Sequence, residues 1–339
     1  MKQILLTGGA GYIGSHTAVE LINEGYEIII VDNLINSSKE SIKRIENITG
    51  KKVAFHCFDL INEAKLEKLF KNSSIDSVIH FAGLKAVGES VENPVTYYDN
   101  NISSTLSLIK VMNKHNVKKM VFSSSATVYG DPNKVPITEK SPIGTGLTNP
   151  YGRTKYFIEQ ILNDLTKTKK NWQITSLRYF NPIGAHASGL IGENPNGRPN
   201  NLMPFITQVA SGKRELLSIY GNDYSTKDGT GIRDYIHVVD LSKAHLAALK
   251  KPAKKNIYRY LNIGTGNGTS VLDLIKAFEK TNKIKINYRY DSRRDGDIAE
   301  CYADPTLAEN ELIWKTIHSI EDACRDSWNW QCKNPNGYE

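Results

Sequence analysis

The chain has 339 residues, 40% of them hydrophobic and 23% charged, which is typical of a folded globular protein with one large or two smaller domains. Its first apolar run is cut short by glycines, and no run approaches the roughly 18 apolar residues of a membrane helix, so we expect neither a signal peptide nor a membrane span. The net charge of +7 comes from scattered lysines without a basic, aromatic-interleaved stripe, which argues against nucleic-acid binding.

The four cysteines predict neither a disulfide framework nor a metal site. Cys57, Cys301, Cys324 and Cys332 form no Cys-x-x-Cys pair and show no spacing to histidine that is typical of zinc sites. We therefore expect no metal, and a reducing compartment, the cytoplasm, as the location of the protein.

Strands and helices are predicted to alternate over the first half of the chain. Short runs rich in β-branched residues lie at 4–7, 28–31, 53–58, 78–81, 120–123 and 174–179. Between them apolar residues recur with helical period, for example Ile102, Leu106 and Ile109, and again Phe157, Ile161 and Leu165. This alternation predicts an α/β fold with a doubly wound, Rossmann-type parallel sheet covered on both faces.

The pattern changes after residue 180. Stretches rich in Gly, Pro and Asn at 188–201 and 221–231 indicate loops that shape a site. We expect residues 1–180 to form a nucleotide-binding domain and 181–339 a smaller, irregular α/β domain for the substrate. A predicted helix at 238–249 and a predicted strand at 260–264 suggest that segments around 235–264 return to the first domain.

A glycine-rich turn follows the first predicted strand. Gly8, Gly11 and Gly14 would let the backbone approach a pyrophosphate held at a helix N-terminus, although the spacing G-x-x-G-x-x-G also fits a plain strand-to-helix turn. Asp32 favours the dinucleotide, because a carboxylate ending the second strand accepts hydrogen bonds from ribose hydroxyls and repels a 2′-phosphate, so NAD is favoured over NADP. Asp59 ends the third strand, where it either meets the adenine or caps the next helix.

Tyr151 and Lys155 lie four residues apart and share one face of a predicted helix. A free tyrosine, with a pKa of about 10, is no base at neutral pH, but a lysine ammonium beside the phenol lowers its pKa. Such a pair can take a proton from an alcohol or sugar hydroxyl while a nicotinamide accepts the hydride. The pattern Y-x-x-x-K is common by chance, so its weight depends on the surrounding motifs.

Further motifs follow one another over nearly the whole chain. They are DNL at 32–34, HFAGLKAVGES at 80–90, YYDNN at 97–101, FSSSATVYG at 122–130, RYFNP at 178–182, PNNLMP at 199–204, GTGIRDYIH at 229–237 and RRDGD at 293–297. Together with the glycine turn, Asp32 and the Tyr151 and Lys155 pair, they make the chain resemble the extended short-chain dehydrogenase/reductases. Within that superfamily it is most similar to the family of UDP-glucose (UDP-galactose) 4-epimerases.

The resemblance implies an isomerase that inverts carbon 4 of UDP-hexoses through a transient 4-keto sugar, with NAD bound throughout. Tyr151 would take the proton from the 4-hydroxyl, and Lys155 would lower the pKa of Tyr151 and bind the nicotinamide ribose. Ser125 would hydrogen-bond the same hydroxyl or the phenol. The other interpretation of Ser125 is a strand-end hydroxyl that bonds its own backbone.

The same resemblance implies two sets of binding residues. The NAD set is Gly8, Gly11, Tyr12, Ile13, Gly14, Asp32, Asn33, Leu34, Asn36, Ser37, Asp59, Leu60, Phe81, Ala82, Gly83, Lys85, Asn100, Tyr179 and Phe180. The UDP-sugar set is Lys85, Ser125, Tyr151, Asn181, Asn201, Leu202, Arg233, Arg294, Asp297 and Cys301. The two arginines suit a diphosphate, since their planar fork pairs two oxygens at once. The alternative is a surface ion pair, Arg233 with Asp234 or Arg294 with Asp295.

Cys301 is the position at which the chain departs from its relatives. The strict glucose/galactose epimerases carry a tyrosine four residues after the aspartate that corresponds to Asp297, and this ring walls the sugar pocket. A cysteine leaves room for an N-acetyl group, which predicts activity on UDP-GlcNAc and UDP-GalNAc as well. The alternative is a small buried residue with no influence on specificity.

Other functions fit the sequence less well. Related dehydratases carry Thr-Asp-Glu after the fifth strand, where this chain has Ser125, Ala126 and Thr127. A decarboxylase would need a pocket for a sugar carboxylate, and a non-enzymatic dinucleotide sensor would need neither Tyr151 nor Lys155. Similar epimerases form homodimers through two helices, here around 101–114 and 153–167, so a second copy of the chain is the expected protein partner.

Overall fold

The computed structural model describes residues 3–197, 199–294 and 296–339. The first part of the chain contains β1 Gln3–Thr7, α1 Tyr12–Asn23, β2 Glu27–Asp32, α2 Lys39–Thr49, β3 Ala54–Cys57, α3 Glu63–Lys71, β4 Ile75–His80, α4 Val87–Glu92, α5 Pro94–Tyr98, α6 Ser104–Lys114, β5 Lys119–Ser125, α7 Pro150–Lys167 and β6 Gln173–Tyr179. A π-helical turn, Asp99–Ser103, joins α5 to α6, and a 3-10 turn, Ala126–Tyr129, follows β5.

The second part of the chain has shorter elements. They are β7 Asn181–Ile183, α8 Leu202–Ala210, β8 Leu217–Tyr220, β9 Ile232–Arg233, β10 Tyr235–His237, α9 Val238–Lys250, β11 Ile257–Ile263, β12 Thr269–Ser270, α10 Val271–Asn282, β13 Tyr288–Asp291, β14 Glu300–Cys301, α11 Thr306–Leu312 and α12 Ile320–Lys333.

A parallel sheet in the order β11-β6-β5-β4-β1-β2-β3 forms the centre of the molecule. The predicted doubly wound α/β fold is confirmed, because the six predicted strands of the first half all join this sheet in parallel. The seventh strand, β11, pairs with β6 from Ile257↔Gln173 to Ile263↔Tyr179 and begins earlier than the predicted strand at 260–264.

Apolar side chains cover both faces of the sheet. On one face Leu6 and Ile30 pack with α1, α2 and α9, and on the other Leu5 and Phe122 pack with α3, α6 and α7. Neighbouring residues of one strand point to opposite faces, so the uninterrupted run ILL of β1 is buried on both sides. Each such side chain stabilises the fold by about 1.5–3 kcal/mol when fully buried.

A separate apolar core lies among the later elements. Strands β8 and β13 pair in parallel, and α8, α10 and α12 pack around Ile206, Ile219 and Phe278. The chain also returns to the main sheet after residue 264, because Ala308, Leu312 and Trp314 pack in the core beside α9. The boundary at residue 180 stays a prediction.

No helix among the described residues is long and apolar enough to cross a membrane. The four cysteines are all free. No group of three or more His, Cys, Asp or Glu side chains within 3–197, 199–294 and 296–339 is arranged to hold a metal ion.

Candidate active site

The predicted cofactor residues lie where the parallel strands end. In a sheet of this kind the carboxyl ends of all strands meet at one edge, and ligands bind in the crevice outside it. The residues in question follow β1, β2, β3, β4, β5 and β6, whose last residues are Thr7, Asp32, Cys57, His80, Ser125 and Tyr179. Segments far apart in sequence thereby converge on one crevice.

The glycine turn after β1 is shaped by backbone contacts. Gly8 has a φ of +71°, and a Cβ there would stand 2.6 Å from the Ala82 backbone nitrogen. A Cβ on Gly14 would stand 2.5 Å from the Gly8 carbonyl oxygen. Gly11 precedes α1 as its N-cap and has no side chain to bond the free N–H groups. The helix N-terminus is therefore open to an anion, as a pyrophosphate requires.

Asp32 is buried and oriented toward this turn. Its Oδ2 accepts a hydrogen bond from the Ala10 backbone N–H at 3.1 Å, and its Oδ1 accepts from Leu34 N–H at 2.9 Å and from the Ser37 hydroxyl at 2.8 Å. A carboxylate oxygen can accept about two hydrogen bonds, so Oδ2 keeps one acceptor position for a ribose hydroxyl. Its negative charge does not suit a 2′-phosphate.

Asp59 does not cap the next helix. The N-cap of α3 is Asn62, whose side chain accepts from the Lys65 N–H. Asp59 instead accepts from Asn33 Nδ2 at 2.8 Å and from Ile61 N–H at 2.9 Å. The helix-cap alternative is therefore wrong. Asp59, in the segment after β3 that also contains Leu60, binds the segment after β2, where Asn36 is exposed.

The segment after β4 is held by Asn101 and Glu193, two residues to which we assigned no role from the sequence. The buried Asn101 side chain accepts from Leu84 N–H at 2.7 Å, donates to the Leu84 carbonyl, and donates to the Thr154 hydroxyl of α7. Asn100 is its neighbour in the π-helical turn, a feature that often marks functional sites. Lys85 Nζ is 3.1 Å from Glu193 Oε1.

Aromatic residues line the same edge. Phe81 lies beside His245 with ring centroids 4.8 Å apart, and the Tyr179 hydroxyl is hydrogen-bonded to Nε2 of His245. Tyr12 donates to the Gly184 carbonyl at 2.6 Å, which joins α1 to the segment after β7. Ile13 packs against the apolar core on the sheet face that α1, α2 and α9 cover. Ala82 and Gly83 follow Phe81 directly in the chain.

Helix α7 brings Tyr151 and Lys155 to the end of β5. The Asn149 side chain caps the helix by accepting from Gly152 N–H at 2.8 Å, so Tyr151 stands in the first turn. Lys155 is buried, donates to the Ser123 carbonyl at 2.8 Å, and its Nζ lies 5.8 Å from the Tyr151 ring centroid. Ser125 accepts from Thr127 N–H at 3.2 Å, which leaves its own proton free for another acceptor.

The pKa of Tyr151 differs from our expectation. Burial raises it, and the Ser125 side chain is the neighbour that acts in the opposite direction. Burial therefore dominates, and the pKa of Tyr151 lies above and not below its ordinary value. The role of Lys155 in lowering it stays a prediction; its ammonium lies 5.8 Å from the ring centroid and donates to the Ser123 carbonyl. Burial also lowers the pKa of Lys155 to about 8, although the charge of Glu159 raises it.

Asn181, Arg233 and Cys301 are joined through one segment. Asp234 accepts the Asn181 N–H with its carbonyl at 2.9 Å and donates its own N–H to the Cys301 carbonyl at 3.1 Å. Cys301 pairs with Arg233 across β14 and β9, and packs beside Phe180 and Ala303. Burial raises the pKa of the Cys301 thiol to about 11. Cys301 therefore packs against an apolar cluster that includes Phe180 of the predicted cofactor set.

Arg233 is not paired with Asp234. The Asp234 carboxylate instead accepts from Thr265, Gly266 and Ala303 backbone N–H groups and from the Thr265 hydroxyl. Arg233 donates to the Ile232 and Ala299 carbonyls, and none of the described carboxylates lies within ion-pair distance of it. Its positive charge is thus available to an anion, and the ion-pair alternative for Arg233 is wrong.

Arg294 has a different environment. Its Nε and Nη2 donate to the two carboxylate oxygens of Asp297, at 2.8 and 3.3 Å, and its guanidinium lies 4.7 Å from the Tyr220 ring centroid. The alternative partner, Asp295, lies outside the described residues. Arg293 pairs with Asp223 at 2.8 Å. The two proposed substrate residues Arg294 and Asp297 therefore bind each other.

Glu193 connects the two binding sets. Its Oε1 accepts from Lys85 Nζ at 3.1 Å and from Asn201 Nδ2 at 2.6 Å, and Leu202 begins α8 immediately after Asn201. The sequence offered no periodic or motif signal for Glu193. Asn101, in contrast, stands in the YYDNN motif.

The chain is similar over almost its whole length to known UDP-glucose 4-epimerases. The model of the NAD dependent epimerase/dehydratase family matches residues 4–264. The UDP-glucose 4-epimerase of Dictyostelium discoideum is 58% identical, over 99% of this chain and 97% of that protein. The Bifidobacterium longum UDP-glucose 4-epimerase, solved in complex with NAD+ and UDP, is 55% identical with a TM-score of 0.96, over 99% of this chain and 100% of that chain. The UDP-Glc/GlcNAc 4-epimerase of Campylobacter jejuni is 36% identical with a TM-score of 0.84, over 98% and 100%.

Proposed function

The chain belongs to the NAD dependent epimerase/dehydratase family, and we propose that it interconverts UDP-glucose and UDP-galactose by inverting carbon 4. It is an NAD-dependent isomerase, a UDP-sugar 4-epimerase. The observation that carries the proposal is the position of Tyr151 against Ser125, with Lys155 over the phenol ring, at the sheet edge that holds the glycine turn and Asp32.

The residues around the glycine turn fit NAD. Gly8 and Gly14 leave no space for a Cβ, Gly11 leaves the N-terminus of α1 uncapped, and Asp32 keeps an acceptor position for ribose. NAD supplies a reversible hydride acceptor when it is bound. The net result is no oxidation, so we expect the protein to retain NAD on purification.

The chain's own residues perform the acid–base work. Tyr151 accepts the proton of the 4-hydroxyl and returns it after the sugar has presented its other face. Ser125 donates to the phenolate or the sugar oxygen with the proton that its bond to Thr127 leaves free. Lys155, held on the Ser123 carbonyl, supplies positive charge as long as it keeps its proton.

We assign binding of the diphosphate to Arg233 in preference to Arg294. Arg233 makes only carbonyl contacts among the described residues, whereas Arg294 already donates twice to Asp297. Charge-assisted bonds to a phosphate are shorter and about twice as strong as neutral ones. Asn201 and Leu202 at the start of α8 complete the uridine side of the site in this proposal.

We also infer that UDP-GlcNAc and UDP-GalNAc are substrates. Cys301 packs against the apolar cluster that contains Ala126 and Phe180, and it stands in place of the tyrosine that the strict epimerases carry. A thiol occupies much less volume than a phenol, and the pocket therefore has room for an N-acetyl group during turnover. The likeness to the Campylobacter jejuni enzyme, whose name gives both sugars, supports this inference.

We infer a homodimer built on α6 and α7. Leu106 on α6 and Phe157 on α7 expose 38% and 42% of their surface, and Phe157 lies 6.2 Å from the Tyr98 ring by centroid. The four free cysteines are consistent with work in the reducing cytoplasm.

The test is an assay of the purified protein with the four UDP-sugars and with UDP-glucuronate, followed by separation of the products. We expect both epimer pairs to interconvert without added NAD. Tyr151→Phe should lower the rate by about 10²–10⁴-fold, the usual contribution of a general base. Wild-type turnover in Tyr151→Phe would overturn the role of Tyr151, and carbon dioxide release or a 6-deoxy product would overturn the epimerase proposal.

A further inference from the structure

Three polar side chains on one face of α7 meet three consecutive serines at the end of β5. Tyr151, Lys155 and Glu159 are spaced by four residues, so they stand above one another on the helix. Tyr151 meets Ser125, Lys155 donates to the Ser123 carbonyl at 2.8 Å, and Glu159 Oε1 accepts from the Ser124 hydroxyl at 2.5 Å.

Glu159 is also paired with a buried arginine of the next strand. Arg178 donates from Nη2 to Glu159 Oε2 at 2.6 Å and from Nε to Oε1 at 3.0 Å, and both side chains are only 1% exposed. Arg178 donates further to the Tyr129 hydroxyl at 2.9 Å, which in turn donates to Asn262 at 2.7 Å. The carboxylate of Glu159 therefore joins α7 to β5 and to β6.

The same carboxylate is the acidic group that acts on Lys155. The ionisable groups around the Lys155 ammonium are His80 on β4 and Tyr151 and Glu159 on α7. Behind them on β6, Arg178 pairs with Glu159 and Tyr179 interacts electrostatically with Tyr151. Burial and Lys155 lower the pKa of His80 to about 3, so the imidazole is neutral.

Burial raises the pKa of each of the two tyrosines and so disfavours a negative charge on either phenol. Glu159 is thus the group that offsets the lysine charge, one helical turn away.

We propose that Glu159 is a positioning residue for the epimerisation: held by Arg178 and Ser124, it fixes α7 against the ends of β5 and β6 and supplies the negative charge that balances Lys155. This rests on the proposed function, because Tyr151 and Lys155 are the pair that it serves. Glu159 touches neither the sugar nor the cofactor in this role. It acts through the place and the charge state of Lys155.

Glu159→Gln tests the role of the charge, since the amide keeps the shape and can still accept from Ser124. We expect kcat for UDP-galactose to fall about tenfold per NAD-containing subunit while KM changes less than about twofold. The alkaline limb of the pH profile of kcat should shift to lower pH by on the order of one pH unit, because Lys155 then loses its proton at a lower pH. Glu159→Asp, which retains the charge, should restore the limb toward its wild-type position.

The control is Asp164→Asn, which removes an exposed carboxylate from the same helix. It should leave the limb, kcat and KM unchanged. Glu159→Gln leaves the buried Arg178 charge without its partner, so the double variant Glu159→Gln/Arg178→Met is made as well. It should fold and still show the displaced limb. A wild-type alkaline limb in Glu159→Gln and in the double variant would overturn the proposal. An equal displacement in Asp164→Asn would overturn it as well.

A second readout does not depend on any sugar substrate. The Lys155 side chain is titrated by NMR of carbon-13-labelled lysines in the NAD-bound protein, with its signal assigned by its loss in Lys155→Met. The midpoint should be lower in Glu159→Gln than in the wild type and should stay in place in Asp164→Asn, because Glu159 is the charge that raises the pKa of Lys155. An unmoved midpoint contradicts the charge-balancing role even if the protein turns over no UDP-sugar, whereas absent turnover with a shifted midpoint contradicts only the proposed function.

Discussion

At the scale of single residues, Cys301 is the position that we propose to decide which sugars the site accepts. Its strand pairs with the strand of Arg233, and its side chain packs in the cluster that contains Phe180 and Ala126. The position thus connects the proposed diphosphate ligand with the proposed sugar pocket. Burial raises the pKa of the thiol to about 11, so it is a neutral, compact group near neutral pH and contributes volume rather than charge.

Cys301→Tyr should separate the two substrate pairs. The added ring fills the space that an N-acetyl group needs, so we expect kcat/KM for UDP-GlcNAc to fall about 100-fold or more while kcat/KM for UDP-galactose falls by less than about fivefold. Cys301→Ala is the matched control and should keep activity on both pairs. Both constants are measured by product separation. Equal losses on both sugars in Cys301→Tyr would count against a gate based on volume.

At the scale of elements, α7 sets the geometry of the chemistry, because Tyr151 lies in its first turn. The helix begins with Pro150 at N1 and with Asn149 as a side-chain cap, and the π-helical turn Asp99–Ser103 places Asn101 against Thr154. A well-ordered first turn of α7 therefore keeps Tyr151, the proposed base, in a fixed position.

Asn149→Ala removes the cap and should lower the free energy of unfolding by about 1 kcal/mol, as measured by urea titration. The first turn then frays, and kcat for UDP-galactose should fall several-fold. Ser319→Ala is the matched control, because Ser319 caps α12 with its side chain but stands away from Tyr151 in sequence and fold. It should cost similar stability and leave kcat unchanged. An equal loss of kcat in both variants would argue against a local effect.

The sequence predicted the central sheet well because strand and helix patterns there are strong. The apolar strand β1 is unambiguous, and Gly8, which has a positive φ, marks the turn after it. The partners of charged residues could not be predicted, since they depend on packing. Arg178, the penultimate residue of β6, is fully buried, and only the fold identifies Glu159 as its partner.

The pairing of the later elements was harder to predict, because it too depends on packing. Two-residue strands such as β9 and β14 have no readable periodicity, so the pairing of Arg233 with Cys301 appears only in the structure. Asp234 looked like an ion-pair partner for its neighbour, yet its carboxylate binds backbone N–H groups of the segment after β11. The direction of the Tyr151 pKa was mistaken because sequence spacing does not reveal burial.

At the scale of the whole molecule, exposed apolar side chains on the outer sides of α6 and α7 form the surface through which we propose self-association. Both helices bury one face against the sheet, and Leu106 and Phe157 project from the other. The proposed catalytic residues Tyr151 and Lys155 occupy the inner face of the same α7. Self-association through the outer face would therefore stabilise the helix that carries them.

Replacing Leu106 and Phe157 together by Glu should convert the proposed dimer to a monomer. Four carboxylates would then meet at the interface, and burying unpaired charges costs several kcal/mol. Sedimentation equilibrium at micromolar concentration measures the mass, and Ile317→Glu, an exposed apolar residue before α12, is the control that should stay dimeric. A wild-type protein that sediments as a monomer would contradict the dimer itself. A dimeric double variant would instead place the interface on another surface.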